Sequence, residues 1–174
     1  LKGYKSKNRV LYKYYFKDNH FDIDGIKIPV LKDEDMEVHF YVVTDIILSK
    51  WIKTRNLYFA FHEGPYETNN VKIEEGDIVF DAGANIGLFS ALALKKSAKR
   101  VYAFEPVPKS LEYLYKTKQL NDLDNRLEIV PFALSDKEGI SYMRYKEDNI
   151  VSSSLVMDIL EGKEFKVKTI TIDK

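Results

Sequence analysis

The segment Gly76-Asp77-Ile78-Val79-Phe80-Asp81-Ala82-Gly83-Ala84-Asn85-Ile86-Gly87 constrains this chain more than any other. A short apolar run leads into an acid, then into a loop with small residues at alternate positions. Residues Leu88–Ala98 follow, with Leu88, Ala91, Leu92 and Lys95 at helical spacing. An unbroken apolar run suits a strand covered on both faces, the habit of parallel sheets. The pattern then repeats. Strands are predicted over 77–81, 100–104 and 127–132. A second helix is predicted from Pro108, because a first-turn proline loses no helical hydrogen bond; Leu111, Leu114, Tyr115 and Lys118 continue its face. Strands alternating with helices imply right-handed crossovers and an α/β fold with a parallel sheet.

Outside this core the texture changes. Ile140–Tyr145 and Phe165–Ile172 alternate as strands of a hairpin do, with a polar loop containing Ser152, Ser153 and Ser154 between them. Upstream, Phe21–Val30 and Val38–Val43 read as short strands. Thr44 is placed to cap a helix running to Arg55, with Ile47, Leu48, Trp51 and Ile52 inward. The chain therefore divides into a mixed extension, residues 1–70, and an α/β portion, residues 71–174.

Composition narrows the functional classes. The 174 residues carry 27 basic and 27 acidic side chains, which argues against a generally basic nucleic-acid-binding surface. There is no cysteine, so disulfides, thiolate metal sites and a cysteine nucleophile are excluded. His20, His39 and His62 show no metal-ligand spacing. No apolar stretch approaches the roughly 18 residues of a membrane span, and the N-terminus has no signal-peptide pattern; a cytoplasmic location is the expectation. The first seventeen residues hold Lys2, Lys5, Lys7, Arg9, Lys13 and Lys17 interleaved with Tyr4, Tyr12, Tyr14, Tyr15 and Phe16. Such a segment can dock on anionic lipid or glycan, but a solvated helix face with its aromatics packed inward is favoured.

The loop Asp81–Gly87 carries the chemistry. It fits the dinucleotide fingerprint badly, since the second and third glycines would fall on Asn85 and Leu88. It also lacks the Gly-Lys-Ser/Thr of a phosphate-binding loop. Its D-x-G-x-N-x-G pattern instead resembles motif I of S-adenosylmethionine-dependent methyltransferases, with Asn85 at a more usual glycine; asparagine tolerates left-handed torsions better than most residues. Glu105 lies eighteen residues beyond Gly87 and ends the second strand. A carboxylate there can accept both ribose hydroxyl hydrogens, as the acid about 20 residues on does in dinucleotide folds.

Four separated motifs, Gly64-Pro65-Tyr66-Glu67, the segment 76–87, Phe104-Glu105-Pro106, and Ala133-Leu134-Ser135-Asp136-Lys137-Glu138-Gly139, together resemble the FkbM-type methyltransferase family. The resemblance covers about residues 60–174 and implies a Rossmann-like class I fold with S-adenosylmethionine as methyl donor. The acceptor it implies is a small-molecule or glycan hydroxyl, usually on a sugar. Donor-binding residues are then Asp81, Gly83, Ala84, Asn85, Gly87, Glu105 and Pro106. Ala133, Leu134, Ser135 and Asp136 should border the adenine, and Tyr66 should pack over the methionine end. The plainer alternatives are an ordinary turn at 135–139 and a buried tyrosine at 66. No general base is assigned.

The family pattern continues with a fourth strand bearing a Lys-x-Asp-x-Glu-Gly-type motif, whereas this chain stops at Lys174. The expectation is thus the first half of a methyltransferase domain, truncated or completed by a second chain. Two rivals stand beside it: a non-catalytic half-domain that binds S-adenosylmethionine or a partner, and an NAD-linked oxidoreductase.

Overall fold

A computed structural model describes residues 16–17, 20–23, 25–29, 72–146, 149–154 and 163–173. The chain divides into two compact units, Leu1–Lys72 and Ile73–Lys174. In the first unit, β1 (Phe16–Lys17), β2 (His20–Ile23) and β3 (Ile26–Pro29) form a small antiparallel sheet in that order. Its β2–β3 hairpin turns at Gly25 (φ 75°), where the Asp22 side chain accepts the Gly25 amide at 2.8 Å. The segment expected as one strand over 21–30 is therefore a hairpin. The strand at 38–43, the helix at 44–55 and Tyr66 lie outside the described residues.

The second unit begins with the predicted alternation: β4 (Ile78–Ala82), α1 (Leu88–Lys95), β5 (Arg100–Phe104), α2 (Pro108–Leu120) and β6 (Leu127–Val130). The three strands are parallel, in the order β4-β5-β6. Proline occupies the first turn of α2, as its missing N–H allows. Both helices end by one device. Ser97 (φ 75°) and Asp122 (φ 52°) take the left-handed torsion usually given to glycine. The amides that follow reach back five residues, Ala98 to the Ala93 carbonyl at 3.1 Å and Leu123 to the Lys118 carbonyl at 3.0 Å. Ala98 and Leu123 are buried beneath these turns. This closure is why α1 stops at Lys95 rather than continuing to Ala98.

The register separates the two faces of the parallel sheet. Asp81 pairs with Ala103 and donates its face to α1, where Ser90 meets it; Val101 and Ala103 on the same face are fully buried. The opposite face carries Phe80, whose ring stacks on Tyr102 (5.4 Å between centroids) and Phe104 (6.0 Å). Phe80 is 46% and Ile78 56% exposed. The expectation that β4 is covered on both faces is therefore corrected: its apolar run reflects one buried face and one aromatic ladder. Among the described residues, β4 pairs with β5 alone.

A second sheet follows, with order β7-β10-β8-β9 for β7 (Ala133–Leu134), β8 (Gly139–Lys146), β9 (Asn149–Ser154) and β10 (Lys163–Ile170). The antiparallel β8–β10 pairing is the expected hairpin. Two details differ. Ser152–Ser154, expected in a polar loop, form part of β9 and pair with β8, because backbone pairing is indifferent to whether serine is polar. The third predicted strand is shorter than expected: β6 ends at Val130, and Ala133–Leu134, just past the predicted end, pair with β10. Ala133 joins Val107, Met143 and Val167 in a buried apolar cluster, with Phe165 packed against it. That cluster seats the second sheet beside the segment following β5.

Candidate functional site

The loop between β4 and α1 is shaped by three left-handed residues, Gly83 (φ 82°), Asn85 (φ 51°) and Gly87 (φ 84°). The two glycines have different work. A Cβ on Gly87 would lie 2.4 Å from Leu114 Cδ1, and Leu114 is completely buried, so the glycine permits close seating of the loop on α2. A Cβ on Gly83 would meet nothing within 4 Å, so that glycine faces open space.

The loop amides are directed inward. Gly83 and Ala84 both donate to the Phe104 carbonyl, at 2.9 and 3.0 Å, and Gly87 donates to the Ala84 carbonyl at 2.8 Å. Asn85 donates to Glu105 Oε2 at 2.8 Å. The Gly83, Ala84 and Asn85 donors are spent at the end of β5, so these three are not free N–H groups awaiting a phosphate.

What the site offers is acceptors. Glu105 is buried; its Oε1 accepts the Val107 amide at 2.8 Å while Oε2 holds Asn85. One carboxylate thereby ties the β4 loop to the segment entering α2. Burial pushes its pKa above the usual carboxylate value, and the negative charge of Asp81 adds to that; the two backbone N–H groups oppose the rise. Each oxygen keeps a further lone pair for a ligand hydroxyl. Asp81, also buried, accepts Ser90 Oγ at 2.5 Å. The Asn85 Oδ1 atom is buried with no hydrogen-bond partner.

Sequence reasoning missed Ser90 and Thr117, the residues that support this arrangement. Thr117 Oγ1, fully buried on α2, donates to the Ile86 carbonyl at 2.6 Å. The available signals were a serine inside the apolar helix run Leu88–Leu94 and a threonine three residues after Leu114, on one helical face. The remaining expected residues lie elsewhere around the site. Pro106 precedes buried Val107, Ala133 is in the apolar cluster, and Leu134 is half-buried in β7. Ser135 donates its amide to the Ile170 carbonyl at 3.0 Å, and its hydroxyl lies 3.1 Å from exposed Asp136 Oδ1. Ala133 and Leu134 thus sit in the second sheet and not, as expected, at the tip of the third parallel strand.

A match to the methyltransferase FkbM domain model spans residues 81–174, more than half of the chain, starting at the acid of this loop. The chain belongs to the FkbM methyltransferase family. Among curated relatives it is 32% identical over 105 residues to the 31-O-demethyl-FK506 methyltransferase FkbM of Streptomyces tacrolimicus, covering 60% of this chain and 40% of that protein. It is 27% identical over 111 residues to the ribosomal protein L11 methyltransferase of Lachnospira eligens, covering 59% of this chain and 35% of the relative. The chain therefore spans well under half the length of these relatives. A solved FkbM methyltransferase from Methylobacillus flagellatus KT aligns with 82% of this chain and 34% of its own, at a TM-score of 0.41 and 15% identity. The α/β assignment rests on the family match and the observed strand order. Among the described residues no helix is long and apolar enough to cross a membrane, and no cluster of candidate metal ligands occurs.

Proposed function

We propose that residues 81–174 form the donor-binding part of an S-adenosylmethionine-dependent methyltransferase whose acceptor is a hydroxyl of a sugar or other small molecule. The observation that carries this reading is the buried Glu105 carboxylate, fixed between the amides of Asn85 and Val107 beside a loop in which the amides of Gly83, Ala84, Asn85 and Gly87 are already bonded. A ligand suited to that site brings hydrogen-bond donors and positive charge. S-adenosylmethionine has both, in its ribose hydroxyls and its ammonium, and has no phosphate. NAD brings a pyrophosphate that these inward-turned amides cannot cradle, so the oxidoreductase reading is disfavoured.

When bound, S-adenosylmethionine supplies a methyl group already activated on a cationic sulfur. The work left to the protein is binding and alignment. Glu105 accepts from the ribose hydroxyls, and the lack of a side chain at Gly83 keeps the loop surface open. Asp81, held by Ser90, and the Asn85 carboxamide offer oxygens to the ammonium end. Pro106, Leu134, Ser135 and Asp136 complete the proposed surround. The name of the Streptomyces tacrolimicus relative, a 31-O-demethyl-FK506 methyltransferase, supports oxygen as the acceptor atom. Acceptor choice and proton removal are assigned to parts of the domain other than this loop.

Calorimetric titration with S-adenosylhomocysteine tests the reading. Glu105→Ala removes a charged acceptor from a buried pair of hydrogen bonds to sugar, and an affinity loss of about tenfold to a hundredfold is expected, as for hydrogen bonds to charged groups. Gly83→Val fills the open side of the loop and should abolish binding. Unchanged affinity in both variants would end the site assignment. Tight binding by the wild-type chain without methyl transfer to any hydroxyl acceptor would favour a non-catalytic half-domain, a role also suggested by the exposed Ile78 and Phe80 on a strand with one described neighbour.

A further inference from the structure

We infer that Thr117, on α2 and away from the loop itself, is a positioning residue for donor binding; this rests on the donor-site reading above. Three observations converge on it. Its hydroxyl donates to the Ile86 carbonyl at 2.6 Å, across 31 residues of sequence, in a fully buried setting. Ile86 sits between Asn85 and Gly87, the two left-handed residues that turn the chain into α1. The Thr117 side chain also lies beside Gly87, its Cγ2 at 3.5 Å from where a Cβ would stand.

The physical argument is an accounting of the loop's backbone groups. Gly83, Ala84 and Asn85 are fixed by their amides to Phe104 and Glu105 on β5. The far end of the loop has a separate tether, the Ile86 carbonyl, held from below by α2. A buried carbonyl left without its donor costs about 1–3 kcal/mol. The backbone can recover that cost by rotating the Ile86 peptide toward another donor. Rotation there changes ψ of Ile86 and φ of Gly87 and swings the Gly87 amide off the Ala84 carbonyl, loosening the turn that presents Asn85 to Glu105. Thr117 therefore acts on the ligand through the loop, without touching it.

The test compares Thr117→Val, which keeps the shape and removes the hydroxyl, with Thr117→Ser, which keeps the hydroxyl. Leu127→Val, a buried change in β6 away from the loop, serves as a control for lost stability. Affinity for S-adenosylhomocysteine is measured calorimetrically well below each variant's unfolding temperature. Thr117→Val is expected to bind about tenfold more weakly, Thr117→Ser within about twofold of wild type, and Leu127→Val like wild type despite a lowered unfolding temperature. Should Thr117→Val not fold, Thr117→Cys, close in volume and a weaker donor, is expected to fall between serine and valine. Wild-type affinity in the valine variant, or equal losses in the serine and valine variants, would overturn the assignment of Thr117 alone. A wild-type chain that does not bind the ligand would overturn both this assignment and the donor-site reading.

Discussion

Parallel strands β4–β6 and mixed strands β7–β10 bury different kinds of side chain. Among the described residues, the buried polar and charged groups are Asp81, Ser90, Glu105, Ser110 and Thr117, all on or between the elements of the parallel sheet. The mixed sheet contributes Ala133, Met143 and Val167 to an apolar cluster, and its other face shows Ile140 and Tyr142 to solvent. Buried polar groups cost free energy unless they are satisfied. The parallel sheet meets much of that cost with specific partners, Ser90 on Asp81, two amides on Glu105 and Ile86 on Thr117, while Ser110 Oγ and Asn85 Oδ1 are buried without one. The difference teaches that one sheet buries polar groups and the other an apolar cluster, the two meeting at Val107, which follows Glu105 by two residues.

That contrast can be broken by substitution. Gly87→Val should have the largest effect, about 3 kcal/mol or more, because it combines a left-handed torsion with a collision against buried Leu114. Denaturant unfolding would measure it, and a loss below about 1 kcal/mol would mean that α2 can retreat from the loop. Met143→Ala should cost about 2–4 kcal/mol by leaving a cavity in the apolar cluster, yet leave S-adenosylhomocysteine affinity within about twofold. A matching loss of affinity would erase the proposed division of labour. Ser90→Ala removes a hydrogen bond to a buried carboxylate and should cost about 1.5–2 kcal/mol, with weakened ligand binding in addition.

Glu105 sharpens the comparison through pH. Between the ordinary value of 4.5 and its raised native value, the folded chain holds a proton that the unfolded chain has released, so stability falls as pH rises through that window. Glu105→Ala should remove this slope. In the same window acidification protonates the carboxylate and weakens ligand binding, beginning on the alkaline side of 4.5; calorimetry across that range would detect both. The smallest effect is expected in the mixed sheet, where the exposed Arg144–Glu164 pair at 3.4 Å should contribute less than about 0.5 kcal/mol on Arg144→Ala.

The elements readable from sequence are those fixed by local pattern. The loop glycines, Pro108 at the start of α2 and the acid ending β5 each leave a mark within a few residues. Asn85 does adopt the left-handed torsion that its residue type tolerates. Non-local features were less legible. Ala133 forms a strand of the other sheet because β10, some thirty residues later, offers it a partner, and no short window contains both strands. The helix ends at Ser97 and Asp122 were hidden because neither is glycine, although each performs the turn glycine usually makes. Thr117 and Ser90 escaped notice because a single polar residue on a helix gives no sign of what it will meet.

The inward turn of the loop amides has a consequence for competition. Many nucleotides share the adenosine of the proposed donor but end in a chain of phosphates. Gly83, Ala84 and Asn85, whose N–H groups already face Phe104 and Glu105, would offer such tails no donors at the point where they differ from the donor. Discrimination against these look-alikes would then begin in the resting shape of three residues of the loop.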